Sequence, residues 1–149
     1  MARKARFHVH VFVGQHTSNP SAKRQTSMGS HPVNLAIRFL LELAALVAMG
    51  LWGRQRSEGV FRFLTALAVP IIAAAVWGTF AVPHDPSRSG SAPVAVSGAL
   101  RLGIEAMFFA GGVGSLFATG SPTMGSVFAI ADVIHYAASY DRVAWLLRA

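Results

Sequence analysis

The chain contains no cysteine and has few charged residues. Only 13% of its 149 residues are charged, whereas 53% are hydrophobic. The lack of cysteine excludes disulfide bonds, thiolate metal sites and cysteine nucleophiles. A soluble domain carries ~25% charged and ~45–50% apolar residues. Because the apolar residues also occur in long blocks, the composition predicts an integral membrane protein with one domain.

Acidic residues are the scarcer charged type: 6 acids stand against 13 Lys and Arg, which gives a formal net charge of +7. Five of the bases precede Met28 without any acid, and from Met28 onward 8 bases face 6 acids. The body therefore has no basic surface for phosphates, and nucleic acid is not expected as a partner. Residues 1–31 are expected to form a disordered basic tail that attracts anionic lipids of the bilayer, with Met28 as an alternative start.

Four apolar segments are long enough to be transmembrane helices, since about 20 residues span a bilayer. We expect an all-α, four-helix transmembrane bundle in residues 32–149, with helices at about 32–52, 60–82, 98–118 and 124–147. A Pro- and Ser-rich segment, Pro83–Ser97, joins two halves. Small residues at four-residue spacing predict faces for close helix packing, and we expect either a homo-oligomer or an unknown membrane partner. These faces are Ala66, Pro70, Ala74 and Gly78 on helix two, and Ala106, Ala110, Gly114 and Ala118 on helix three.

Charged residues recur inside the apolar segments. Arg38 and Glu42 lie four residues apart on helix one, where the two side chains share a face and can pair. The same pattern returns 63 positions later as Arg101 and Glu105 on helix three. Helices one and three are separated by a single helix and so cross in the same direction. The pattern predicts two parallel two-helix repeats related by an axis along the membrane normal.

The depths of these groups predict a polar layer. Glu42 lies roughly 15 Å from the start of helix one, near the middle of a hydrocarbon core ~30 Å thick. Glu105, Asp132 and His135 reach a similar level, and on helix four Asp132, His135, Ser139 and Arg142 follow one stripe. We expect Arg38 to pair with Glu105 and Arg101 with Glu42. The candidate intramembrane cluster is therefore Arg38, Glu42, Arg101, Glu105, Asp132 and His135.

Two functions from different classes follow from this cluster. An uncompensated charge at the membrane centre costs about 2.5–3.5 kcal/mol, so the pairs are expected to fix helix register in a structural or accessory membrane component. The alternative is a small proton-linked transporter or conductor that uses Glu42, Glu105, Asp132 and His135 as a relay. The sequence contains no assembled nucleophile, phosphate loop or metal-ligand set, so neither an enzyme nor a cofactor is expected.

Loop charges indicate the orientation in the membrane. With the N-terminus inside, the inner segments hold eight Lys and Arg residues and the outer segments hold three. This excess favours a bacterial cytoplasmic membrane protein with both termini in the cytoplasm. Translation from Met28 would leave three against three, with only the inward offset of Arg38 and Arg101 to decide.

Three segments carry a family resemblance: NLAIRFLLELAALVAMGLWG (Asn34–Gly53), AAAVWGTFAVP (Ala73–Pro83) and LRLGIE (Leu100–Glu105). They resemble the YrdB-like family of small bacterial membrane proteins, and the likeness covers the chain from about Pro32 to its end. The resemblance implies a four-helix inner-membrane protein of uncharacterised function, so no catalytic residue is carried over. It places Arg38, Glu42, Trp77, Gly78, Arg101 and Glu105 in the family's pattern.

Overall fold

The computed structural model describes residues 31–85 and 92–149. Within these ranges lie five helices and two short strands. The predictions of a disordered tail and of a start at Met28 concern residues outside the described part. The elements are α1 (Pro32–Gln55), α2 (Phe61–Thr79), β1 (Phe80–Ala81), β2 (Val94–Ala95), α3 (Gly98–Ala118), α4 (Pro122–Ala138) and α5 (Tyr140–Leu146).

Local sequence sets the helix starts. The His31 side chain accepts a hydrogen bond from the Val33 amide, and Pro32 occupies the first turn of α1, where its missing N–H is not needed. The Ser97 hydroxyl accepts from the Leu100 amide at the start of α3. Pro122 opens α4 after Gly120, whose φ of 78° suits the turn between α3 and α4.

Small residues bring α1 and α2 close together in antiparallel orientation. Gly50 lies against the Ala66 carbonyl and the Pro70 ring, so the predicted small-residue face of α2 meets α1. Gly53 approaches Thr65, whose hydroxyl donates to the Gly53 carbonyl over 2.7 Å. The backbone separation is so small that a side chain on Gly53 would collide with α2.

The end of α2 differs from the prediction. The helix stops at Thr79, before the predicted Val82, because Phe80–Ala81 pairs in parallel with Val94–Ala95. The amide of Val96 continues this pairing by donating to the Ala81 carbonyl. The two ends of the segment that was predicted to join the halves are therefore held together by strand pairing.

Two contacts fix the relation of α1 to α3. Arg38 bonds Glu105, and Ala45 packs on Gly112, and both contacts join residues 67 positions apart. The two helices therefore run in the same direction, as the repeat hypothesis requires. A core forms between them from Ala45, Met49, Phe108, Phe109 and Phe128, with Trp77 packed against it.

The fourth predicted helix is two helices. α4 begins at Pro122 and runs antiparallel to α3, with Gly125 against Phe117 and Phe128 against Gly112. Helix bonding breaks at Ser139, whose amide is shared between the carbonyls of His135 and Tyr136. The Ser139 hydroxyl accepts from the Asn34 amide group of α1 over 2.8 Å. The prediction of one helix over 124–147 is wrong at this break, after which α5 buries Arg142 and Leu146.

Within residues 31–85 and 92–149, no helix covers the predicted packing face of α3. Ala106, Ala110, Gly114 and Ala118 are all exposed, and a Cβ at Gly114 would meet open space. The inward face instead carries Arg101, Glu105, Phe108, Gly112 and Ser115. Small residues do recur at four-residue spacing on α3, but the charged residues Arg101 and Glu105 decide which face of the helix turns inward.

The outer surface of the protein is apolar. Large hydrophobic side chains such as Phe39, Leu67 and Ile130 are exposed, and α2 has no buried residue. Three of the helices in the described ranges are long and apolar enough to cross a membrane: α1, α2 and α3, with 24, 19 and 21 residues. α4 is shorter, with 17 residues.

Gly98 offers a test of the α3–α5 contact. Its amide donates to the Ala149 carbonyl over 3.1 Å, and an added Cβ would collide with the Leu146 carbonyl. We expect Gly98→Ala to lower the free energy of unfolding by about 1–3 kcal/mol, as in other overpacked sites. Thermal unfolding in detergent micelles measures the change.

Gly103 in the same helix is the matched control, because its Cβ position is open. Gly103→Ala should raise stability by about 0.5–1 kcal/mol, because alanine favours the helix over glycine. Equal melting temperatures for the two variants would contradict the close α3–α5 contact.

Candidate functional site

Glu105 is the centre of a buried charged cluster. Its side chain is 1% exposed, and its carboxylate accepts hydrogen bonds from three arginines and one tyrosine. Arg38 donates from Nη2 over 2.8 Å and Arg101 from Nε over 3.1 Å, both to Oε1. Arg142 donates to both oxygens, over 2.7 and 2.8 Å, in the bidentate geometry that strengthens such pairs. Tyr136 donates to Oε2 over 3.3 Å.

Arg38 and Arg101 extend the cluster in different directions. Arg38 also donates from Nε to Glu42 over 2.9 Å, along α1. Arg101 donates to the carbonyls of Trp77 and Phe80 at the end of α2, where helix carbonyls lack partners within the helix. Both guanidinium groups also face the Trp77 ring, at 5.2 and 4.1 Å from its centre. The cluster thus joins α1, α2 and α3.

Asp85, which lies in the turn after β1, is a further acid of the cluster. It accepts from Arg142 Nη2 over 2.9 Å and is itself buried. The preceding residue, His84, has a φ of 62°, and the Asp85 amide donates to the Val82 carbonyl, so a tight turn directs the acid inward. The cluster gathers three cations and three anions: Arg38, Arg101 and Arg142 with Glu42, Asp85 and Glu105.

The structure brings four of the six predicted residues together: Arg38, Glu42, Arg101 and Glu105. The expected pair Arg38–Glu105 is present, but the expected pair Arg101–Glu42 is not, because Arg101 bonds Glu105 of its own helix. The reason is the helix stagger. With residues 67 apart at one level, Arg101 lies level with Asn34, roughly 12 Å along the axis from Glu42.

Asp132 and His135 are both 7% exposed and lie about one turn apart on the same stripe of α4. His135 borders the charged cluster, in a small space that Arg38, Glu105 and Arg142 also line. Asp132 lines a groove between α3 and α4 instead. In the described part of the chain, the two Asp132 carboxylate oxygens and His135 Nδ1 have no hydrogen-bond partner. The layer predicted from helix depths is therefore not one hydrogen-bonded group among the described residues.

The candidate cluster predicted from the sequence left out Arg142, Asp85, Tyr136 and Trp77, of which only Trp77 was named by the family resemblance. Arg142 was recognisable, because it follows Asp132, His135 and Ser139 on one stripe. Asp85 gave no signal, because only the folded turn directs it inward. A polar cavity of about 350 Å³ adjoins the cluster, lined by Arg38, Glu42, Trp77, Gly78, Asp85 and Arg101 among others.

The chemistry of the cluster is mutual neutralisation. Each carboxylate is held by at least one arginine, and Glu105 is held by three. No group of three His, Cys, Asp or Glu residues gathers into a metal site within residues 31–85 and 92–149. The arrangement is suited to connecting helices.

These features define a class of small, mostly helical proteins with apolar helices of membrane-spanning length and a buried charged cluster. The chain belongs to the family described as "Protein of unknown function (DUF2568)", which matches residues 36–133. It is also 42% identical over 114 residues to "Uncharacterized protein YrdB" of Bacillus subtilis (strain 168), covering 76% of this chain and 93% of that protein. The predicted YrdB-like resemblance is confirmed. No solved structure matches the chain significantly.

Substitution of Arg142 tests whether this arginine stabilises the cluster. Arg142→Gln leaves the buried Glu105 short of its bidentate partner and Asp85 without this ion pair. We expect a loss of about 3–5 kcal/mol in the free energy of unfolding, the range for removing one partner of a buried pair. Denaturation in detergent micelles measures it.

Arg148→Gln is the control, since Arg148 is exposed near the same end of the chain. It should change stability by less than about 0.5 kcal/mol. Arg142→Lys keeps the charge but loses the fork that reaches two acids, so it should fall between them. An Arg142→Gln protein as stable as Arg148→Gln would refute the cluster's role in stability.

Proposed function

We propose that this protein is a non-enzymatic, structural or accessory component of the bacterial cytoplasmic membrane, whose charged cluster holds its helices together. The observation that carries the proposal is the Glu105 carboxylate, which accepts five hydrogen bonds at 1% exposure. The donors come from α1, α3, α4 and α5. One side chain thereby sets the relative positions of four helices.

Electrostatics support a structural role for this carboxylate. A buried charge is costly unless it is paired and hydrogen-bonded, and the cost grows in an apolar membrane. The three arginines and three acids balance, so the cluster carries no formal net charge as a unit. A group held by three cations is also poorly suited to take up and release protons. A relay would further require Asp132, whose carboxylate oxygens have no hydrogen-bond partner among the described residues.

The surface supports placement in a membrane. Exposed apolar side chains cover α1, α2, α3 and the outer face of α4. We propose that α4 and α5 together make the fourth crossing, since 25 residues at 1.5 Å rise cover roughly 37 Å. Four crossings would put both termini on one side of the membrane, and the excess of Lys and Arg in the inner segments supports the cytoplasm as that side.

Replacing the central carboxylate tests this proposal. Glu105→Gln leaves the three arginines of the cluster with two acids, and we expect the folded yield to fall severalfold and stability to fall by about 3–5 kcal/mol. Glu42→Gln should have a smaller effect, because Glu42 is 20% exposed and, among the described residues, forms an ion pair with Arg38 only. Membrane yield and size-exclusion profile report the fraction folded.

The exposed Glu58 provides the matched control, and Glu58→Gln should behave like the wild type. The proposal fails if Glu105→Gln gives wild-type yield and melting temperature.

A further inference from the structure

A groove of about 600 Å³ runs along the outside of α3 and α4, and its lining includes Tyr136, which also donates to Glu105 of the charged cluster. One wall carries Ala106, Ala110 and Gly114, members of the exposed small-residue row of α3. The other wall carries Ala129, Asp132 and Val133 of α4. A Cβ at Gly114 would meet nothing within 4 Å, so the row leaves room for the backbone of another helix.

Asp132 makes this groove different from the other apolar surfaces. Asp132 is only 7% exposed, yet neither of its carboxylate oxygens has a hydrogen-bond partner among the described residues. The cluster around Glu105 is balanced without it. Asp132 lies near the middle of the α4–α5 segment, where an acid without a partner is costly.

We propose that the groove between α3 and α4 binds a transmembrane helix of a partner protein, which presents a small-residue face and an Arg or Lys to Asp132. The small row allows the two backbones to approach, and a rotamer change at Asp132 brings its carboxylate to the groove surface. The partner's cation then supplies the counter-charge that the described residues do not provide. The inference rests on the proposed membrane placement and names the site of the accessory role.

Charge complementarity favours a different protein over a second copy of this chain. A two-fold pair of copies would set one Asp132 groove against another and add an acid instead of a base. Among the described residues, the exposed bases lie at helix ends and not at the depth of Asp132: they are Arg54, Arg56, Arg62 and Arg148. None is placed to enter a groove at the middle of a neighbouring copy.

A synthetic transmembrane peptide tests the groove directly. The probe is a Leu/Ala helix with two glycines four residues apart and one central Arg, and a matched peptide carries Leu in place of Arg. The protein has no cysteine, so a single cysteine introduced at exposed Ser126 accepts a fluorophore for energy transfer in phosphatidylcholine vesicles. We expect the Arg peptide to bind about tenfold more tightly than the Leu peptide, as one membrane-buried polar pair allows.

Variants of the protein separate the groove from general membrane effects. Asp132→Asn should remove most of the preference for Arg, and Gly114→Leu should weaken both peptides by filling the groove. Gly103→Leu is the control, since its position is open and lies outside the groove lining. These variants leave the Glu105 cluster intact, so failure here is distinguishable from failure of the structural proposal.

Three results would overturn the inference. The first is equal binding of the Arg and Leu peptides to the wild type. The second is an unchanged preference for the Arg peptide in an Asp132→Asn protein whose melting temperature equals that of the wild type. The third is energy transfer between two labelled copies of the protein that Gly114→Leu abolishes, which would assign the groove to a second copy.

Discussion

A carboxylate removed from water requires cationic or hydrogen-bonding partners, because an isolated buried charge costs several kcal/mol. Glu105 meets this requirement with donors from separate helices: Arg38 of α1, Arg101 of α3 and Arg142 of α5. Partner residues that lie far apart in sequence must therefore meet at one point. This constraint accounts for the inward face of α3, for the burial of Arg142 and for the inward turn at Asp85.

The stagger between α1 and α3 decides which charges pair. The Arg-x-x-x-Glu motifs are 63 positions apart, but residues 67 apart lie at one level, so α3 is displaced by one turn relative to a symmetric repeat. Arg38 thereby reaches Glu105, while Arg101 lies two turns from Glu42. Arg101 also donates hydrogen bonds to the carbonyls of Trp77 and Phe80, which fixes the end of α2 against α3. Because of this displacement by one helical turn, the two Arg-x-x-x-Glu motifs make different contacts.

The sequence predicts what depends on composition and spacing, and misses what depends on tertiary contacts. The apolar blocks locate α1 and α3 to within a few residues, and the four-residue spacing correctly pairs Arg38 with Glu42. The end of α2 was missed because its stop depends on strand pairing with a segment 14 residues away. The break at Ser139 was missed for a similar reason, since that hydroxyl bonds Asn34, which is 105 positions earlier. Small-residue spacing on α3 identified a surface but not the direction in which it faces.

Hydrogen–deuterium exchange on the Glu105→Gln protein tests the central role of this carboxylate most directly. If Glu105 connects the helices, amides in α5 and in the first half of α1 should exchange faster, because Arg142 and Arg38 lose their common partner. Amides at the Gly53–Thr65 contact between α1 and α2 should keep their protection, since that contact does not involve the cluster. Wild-type exchange throughout α5 and the first half of α1 would contradict the account.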